Sequence, residues 1–191
     1  MRRKVYTKEL ILNAAYEILV TRGAGHITAR NVAIQMGIST QPIYLEFENM
    51  QGLKDSLLQS IATNLQETIF TVSKTGDRLV DFGLNYIQFA MEQPRLYTAF
   101  YINECMNGPL MYDLSINFFK ELTRSDLRFR YFSDCAMEEL HDQLLIQISG
   151  VGALASGKCL SFSEDKVHGL LKETINRYLE KNTEVTLAQD C

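Results

Sequence analysis

The chain has 191 residues, of which 46% are hydrophobic, 22% charged and 10% aromatic, a composition that supports a substantial core in one domain, or one domain plus a small module. Eleven glycines and three prolines are too few for a collagen-like fibre or a long linker, and the apolar content excludes disorder. No apolar run approaches the roughly 20 residues of a membrane span, and the opening MRRKVYTKEL meets an acidic residue before any apolar core of a signal peptide. A cytoplasmic, all-α protein without membrane contact is expected.

Charge divides unevenly along the chain. Residues 1 to 54 hold seven basic side chains against four acidic, a net +3, whereas the remainder carries −7. A positive module on an acidic body suits a protein that meets DNA with one end only. Cys105, Cys135, Cys159 and Cys191 lie 30, 24 and 32 residues apart, without a CxxC pair or a His at ligand spacing. They are expected to be small buried hydrophobes plus one terminal thiol, and no metal or other cofactor is expected.

From Thr7 to Arg22, Leu10, Ile11, Ala14, Ala15, Ile18 and Leu19 form one apolar stripe at spacings of three and four, which predicts an amphipathic helix. Thr7 is its N-cap, Tyr6 and Ile11 a hydrophobic staple, and Gly23 its left-handed stop. The pattern recurs at Thr28. There Ile27 and Val32 flank the cap, Val32, Ala33 and Met36 point inward, and Gly37 ends a short helix. Ser39 is predicted to cap a second short helix from Thr40 to about Phe47, and Asn49 a longer one after it. Two short helices joined at Gly37 and Ile38 make a helix-turn-helix.

Pro42 falls at the third predicted helical position, where its missing N–H is one the helix cannot bond. It leaves Thr40, Gln41 and Pro42 as a blunt tip, fit to meet base edges in a major groove. Gln pairs with adenine through two hydrogen bonds, and Thr touches a thymine methyl or a phosphate. The bland alternative is an ordinary bundle hairpin in which Thr28, Ser39 and Asn49 only cap helices and Tyr44 is a rim aromatic. Bundle helices usually run longer than about eight residues to bury enough surface, and that reading leaves the two-residue turn unexplained.

Ile11, Ala14, Ala15, Gly23, Thr28, Val32, Ala33, Gly37, Ile38, Ser39, Ile43, Tyr44, Phe47, Asn49 and Leu53 resemble the DNA-binding signature of the TetR/AcrR family of bacterial transcriptional regulators. The likeness covers about the first 55 residues. It implies an N-terminal three-helix DNA-binding head over residues 1–50 and a C-terminal helical body for ligand binding and dimerisation over 51–191, about nine helices in all. It further implies a homodimeric repressor on a near-palindromic double-stranded operator, released by a small molecule. Helix-turn-helix dimers read half-sites roughly 34 Å apart.

By position in that signature, Thr28 and Ser39 would meet phosphates, Thr40, Gln41 and Pro42 would face bases, and Tyr44 would bond a phosphate, with Arg30 and the Arg2, Arg3, Lys4 arm adding charge. One position departs. The family usually has a lysine after the Asn49 cap, and here it is Met50, with Lys54 one turn on as its substitute.

Beyond the head, a long helix is predicted from Met50 to about Lys74, and Asp77 caps another to about Glu92. Pro94 starts the next. Large side chains crowd the stretch from Tyr86 to Phe132, either as plain core or as the lining of a cavity for a small apolar or amphipathic ligand. Tyr86, Phe89, Phe100, Tyr101, Met111 and Phe118 are its candidate lining, and His141 and Glu104 the candidate polar groups. The stretch Cys135 to Gly157 carries Gly150 and Gly152 mid-helix, signs of close helix packing or of a kink. Ser161 or Ser163 then caps a last helix. Leu144, Ile148, Val151, Leu171, Ile175 and Tyr178 on these two helices are the candidate dimer interface, and the tail from about Asn182 is expected to fray.

An enzyme is the first rival. There is no GxGxxG, P-loop, GxSxG or HExxH, and Glu138, Glu139, His141 and Asp142 lack a second His at ligand spacing. A DNA-binding dimer without a small-molecule inducer, either an activator or a partner-dependent regulator, is the second.

Overall fold

The computed structural model describes residues 6–102 and 107–189, with side chains as far as residue 182. Arg2, Arg3, Lys4, Glu104, Cys105 and Cys191 lie outside the described residues. Helices α1 (Lys8–Arg22), α2 (Ala29–Met36), α3 (Gln41–Glu46), α4 (Met50–Leu65), α5 (Arg78–Glu92), α6 (Pro94–Tyr97), α7 (Gly108–Thr123), α8 (Asp134–Ser156) and α9 (Glu164–Gln189) follow in order, with no strand among the described residues. The fold is all-α.

Two compact units divide the chain. The first takes residues 1–63 and returns for 93–112, so that nearly all of α4 and all of α6 belong to the same unit as α1 to α3. Its interior is built from the inward stripe of α1, with Ile11, Ala15, Ile18 and Leu19 fully buried, together with Val32, Ile43, Leu53, Leu57 and Leu58. Leu10, assigned to that stripe, is half exposed at the stripe's edge.

Local chemistry sets the helix ends. Thr7 caps α1, accepting from the Leu10 N–H at 3.4 Å. Gly23 ends α1 with φ 91° and ψ 166°, a conformation open to glycine but not the left-handed helical one expected, and a 3₁₀ turn over Ala24–His26 follows. Gly37 does adopt the left-handed conformation, at φ 66° and ψ 39°. The cap of α3 is Thr40 rather than Ser39, which shifts Pro42 to the second helical position; the reason is that the Thr40 carbonyl receives the first helical N–H groups, those of Ile43 and Tyr44.

The long helix expected to Lys74 stops earlier. After α4 the backbone widens into a π turn over Gln66–Phe70. Threonine hydroxyls bond back to carbonyls here, Thr68 to Asn64 at 2.6 Å and Thr71 to Gln66 at 3.0 Å, competing with a regular helical end.

The second unit, residues 64–92 and 113–191, centres on α5, which packs chiefly on α8 and also on α9. Helix α5 is buried on every side, Leu79 to Ile87 without interruption, as befits a central helix. Its two interior polar groups are satisfied. Asp81 accepts from the Thr75 N–H at 2.7 Å and hydroxyl at 2.6 Å, and Asn85 donates to the Val72 carbonyl at 2.7 Å, so both pin the turn that precedes the helix. Ser133 caps α8 and Ser163, rather than Ser161, caps α9.

Two further expectations fail. Cys135 and Cys159 are exposed, because each lies at a helix terminus rather than on an inward stripe. Helix α9 continues to Gln189 instead of fraying at Asn182, since residues 183–189 contain no proline or glycine to stop it. The six candidate dimer residues, Leu144, Ile148, Val151, Leu171, Ile175 and Tyr178, are all under a tenth exposed within the single chain. Ile148 and Leu171 flank Gly83 of α5, and Tyr178 of α9 bonds Glu139 of α8, so these three face the interior of the second unit.

Candidate nucleic-acid interface

Helices α2 and α3 form the helix-turn-helix, and their ends place the candidate residues on its surface. The Thr28 hydroxyl accepts from the Asn31 N–H at 3.2 Å. Asn31 in turn donates through Nδ2 to the His26 carbonyl at 2.8 Å, which fixes the turn that enters α2. Thr28 and Arg30 are exposed. The Thr28 hydroxyl proton remains available to an outside acceptor, and the N–H groups of Ala29 and Arg30 precede those of Asn31 and Val32, the first of the helix to be bonded.

In α3 the fully buried Ile43 is the anchor. Ser39, Thr40, Gln41 and Tyr44 are exposed and Pro42 half-buried. Leu45, absent from the candidates, is 77% exposed, more than any other large apolar residue of the head. The signal was in the helical period: two positions beyond a buried Ile43, a side chain points away from the core. The fully buried Leu53 sets the first turn of α4, where Met50 and Lys54 are both half-buried. Asn49 caps this helix, accepting from the Gly52 N–H at 2.9 Å. Lys8 lies 5.4 Å above the Phe47 ring, a cation–π contact that holds the start of α1 on the residue closing α3.

The ligand candidates separate. Phe100, Tyr101 and Met111 belong to the first unit and Tyr86, Phe89, Phe118 and His141 to the second. Burial pushes the Tyr101 phenol above its ordinary pKa, with Tyr97 adding to the shift. In the second unit Phe70, which the sequence pattern did not single out, touches Phe82, Tyr86, Phe89 and Phe118 at centroid distances of 5.4 to 6.3 Å. The Tyr86 hydroxyl is 3.1 Å from Ser149 Oγ.

His141 is buried, with Nε2 2.9 Å from the Ser115 hydroxyl and Nδ1 3.0 Å from Asp142. Burial outweighs its acidic neighbours Asp142 and Glu138 and holds its pKa below the ordinary histidine value. The Tyr178 hydroxyl donates to Glu139 at 2.8 Å, and burial, followed by that carboxylate, pushes its pKa up to about 12. The acidic residues around His141 thus bond separate partners instead of converging on one point. Among the described residues no group of three or more His, Cys, Asp or Glu side chains is arranged to hold a metal ion, and no helix is long and apolar enough to cross a membrane.

No family model and no curated protein sequence matches the chain. Solved structures do. NalD, the secondary repressor of the MexAB-OprM multidrug efflux pump in Pseudomonas aeruginosa, is 20% identical, with 90% of this chain and 94% of that one aligned at a TM-score of 0.56. The flavonoid-responsive regulator FrrA is 16% identical over 91% and 95% of the two chains at 0.63. A TetR-like transcriptional regulator from Rhodococcus sp. RHA1 is 17% identical over 94% and 99% at 0.58. The chain has the fold of TetR-type transcriptional regulators.

Proposed function

We propose that this chain is a sequence-specific DNA-binding transcriptional regulator. It acts as a homodimeric repressor on a near-palindromic operator and leaves it when a small apolar or amphipathic ligand binds the helical body. The observation that carries this reading is the surface of the helix-turn-helix, where Gln41, Tyr44 and Leu45 stand exposed around a buried Ile43.

Gln41 reads a base edge and Leu45 supplies apolar contact to a thymine methyl. Thr28, Arg30, Tyr44 and Lys54 hold the backbone and fix the register. The regulators of like fold support the same role, since NalD is a repressor and FrrA responds to flavonoids.

For the dimer, the outward faces of α8 and α9 replace the buried ones. Ile146 is 73% exposed and Leu154 and Leu170 about two fifths, and a Cβ at Gly150 or Gly169 would meet nothing. These positions let a second helix pair approach closely. Release follows if the ligand prefers the dimer in which the heads no longer match the operator spacing.

The test is fluorescence anisotropy with DNA from upstream of the chain's own gene and a scrambled control, at two salt concentrations, with Gln41→Ala and Tyr44→Phe. Binding that prefers the native DNA, is lost in Gln41→Ala and weakens in Tyr44→Phe is the expected result. Equal weak binding to both DNAs by all three proteins defeats the reading.

A further inference from the structure

We propose that the cleft between the end of α1 and α6 binds an anion, a carboxylate or phosphate carried on a short apolar body. The cleft has a volume of about 430 Å³, inside the roughly 300 to 1,000 Å³ range of small-molecule sites. All of its lining belongs to the first unit. Val20 and Pro94 supply apolar wall over the buried Leu19 and Ala99, the exposed Arg22 and Arg95 supply charge, and no acidic side chain lines it.

Neither arginine has an ion-pair or hydrogen-bond partner among the described residues, unlike Arg128, which holds Asp77 and Asp126, and Arg177, which holds Glu173. Two guanidinium groups line this one cleft, and their planar donors match a carboxylate or phosphate in paired hydrogen bonds. The Thr21 hydroxyl is committed to the Glu17 carbonyl at 2.6 Å, which leaves Thr98 as the hydroxyl donor of the lining. The last carbonyls of α1 disfavour an anion deep against the helix end. The charged group therefore sits at the guanidinium rim and the apolar body against the wall.

A larger groove of about 650 Å³ in the second unit makes the contrast. Lys120, Arg124 and Arg130 line it, but so do Glu121, Asp126 and Asp134, and its charge cancels. An anion bridging Arg22 and Arg95 ties the helix that opens the head to residues 94–99. This assignment stands without any DNA-binding activity.

Isothermal titration of the full chain with octanoate and with inorganic phosphate tests it, in the original protein, Arg22→Gln, Arg95→Gln, the double variant, and Arg177→Gln as a remote control. Thermal melts confirm that each variant is folded. The expected result is one octanoate per chain, bound more tightly than phosphate and more weakly in high salt. Each cleft variant should weaken binding at least tenfold and Arg177→Gln leave it unchanged. Absence of saturable binding by both probes, or equal affinity in the double variant, overturns the proposal. Phosphate binding more tightly than octanoate overturns the apolar-body part of it.

Discussion

A Cβ built on Gly83 of α5 would lie 2.5 Å from Leu171 Cδ1 of α9 and 3.3 Å from Ile148 Cγ2 of α8. This is the one place where the central helix has no side chain and both neighbours fill the space. An alanine inside a helix normally gains about 1 kcal/mol over glycine. Here overpacking costs about 1 to 3 kcal/mol, because Leu171 is almost wholly buried and has little room to turn. Gly83→Ala should therefore lower the urea midpoint, and Leu171→Ala in the same chain should relieve much of the loss. Additive effects of the two changes in a double-mutant cycle would show that the contact is not the cause.

Arg128 donates Nη1 and Nη2 to the two carboxylate oxygens of Asp77 at 2.6 and 3.0 Å, and Asp77 Oδ1 also accepts from the Leu79 N–H that opens α5 at 3.1 Å. One carboxylate thus serves as helix cap and as anchor for the turn after α7. Asp77→Ser should keep the cap and lose only the ion pair, a loss of about 1 kcal/mol for a partly exposed pair, while Asp77→Ala should lose about 1 kcal/mol more. Burial opposes the charge on Asp77, but Arg128 and the backbone N–H groups outweigh it and hold its pKa below the ordinary 3.8. The stabilisation is then complete above about pH 4 and disappears as pH falls through the lower folded value. Acid titration of stability should show a shallower loss below pH 4 in Asp77→Ser than in the original chain.

The head was legible because its information is local. Thr7, Thr28 and Asn49 cap helices where the residue pattern puts them, and Gly37 turns the chain as expected. The buried Ile43 and exposed Tyr44 likewise follow from the spacing within α3. The second unit was less legible, since which face of a helix turns inward depends on partners distant in sequence. Ile148 and Leu171 have the period of an interface, but an interior contact with Gly83 has the same period. Phe70 was hidden for a related reason: the π turn that carries it shifts the helical register, and that turn depends on backbone bonds of Thr68 and Thr71 rather than on an apolar repeat.

His141 gives the second unit a distinct pH response. It is buried against Phe119, with ring centroids 5.4 Å apart, and bonded to Ser115 and Asp142. Its folded pKa lies below the ordinary 6.5 because burial exceeds the pull of Asp142 and Glu138. The unfolded chain thus takes up a proton first, so stability is complete above about pH 6.5 and falls as the pH drops below it. His141→Gln should flatten the stability curve as the pH falls below about 6.5, while leaving the carboxylate-driven loss below about pH 4 in place. An unchanged slope in His141→Gln would show that His141 does not drive the response.

Met50 stands at the first position of α4, immediately after the Asn49 cap and one turn before Lys54. In the proposed complex this helix start faces the DNA backbone, and a thioether there neutralises no phosphate. Met50→Lys should add one phosphate contact per subunit, steepening the salt dependence of log affinity by about 0.9 for each contact. The gain should be nearly the same on native and scrambled DNA, since backbone contacts carry no direct sequence information. Lys54→Met should do the reverse if Lys54 already fills the role that Met50 leaves open, with a shallower slope and unchanged preference between the two DNAs. A Met50→Lys variant with an unaltered salt slope would place the start of α4 away from the backbone and return Lys54 to the surface of the head.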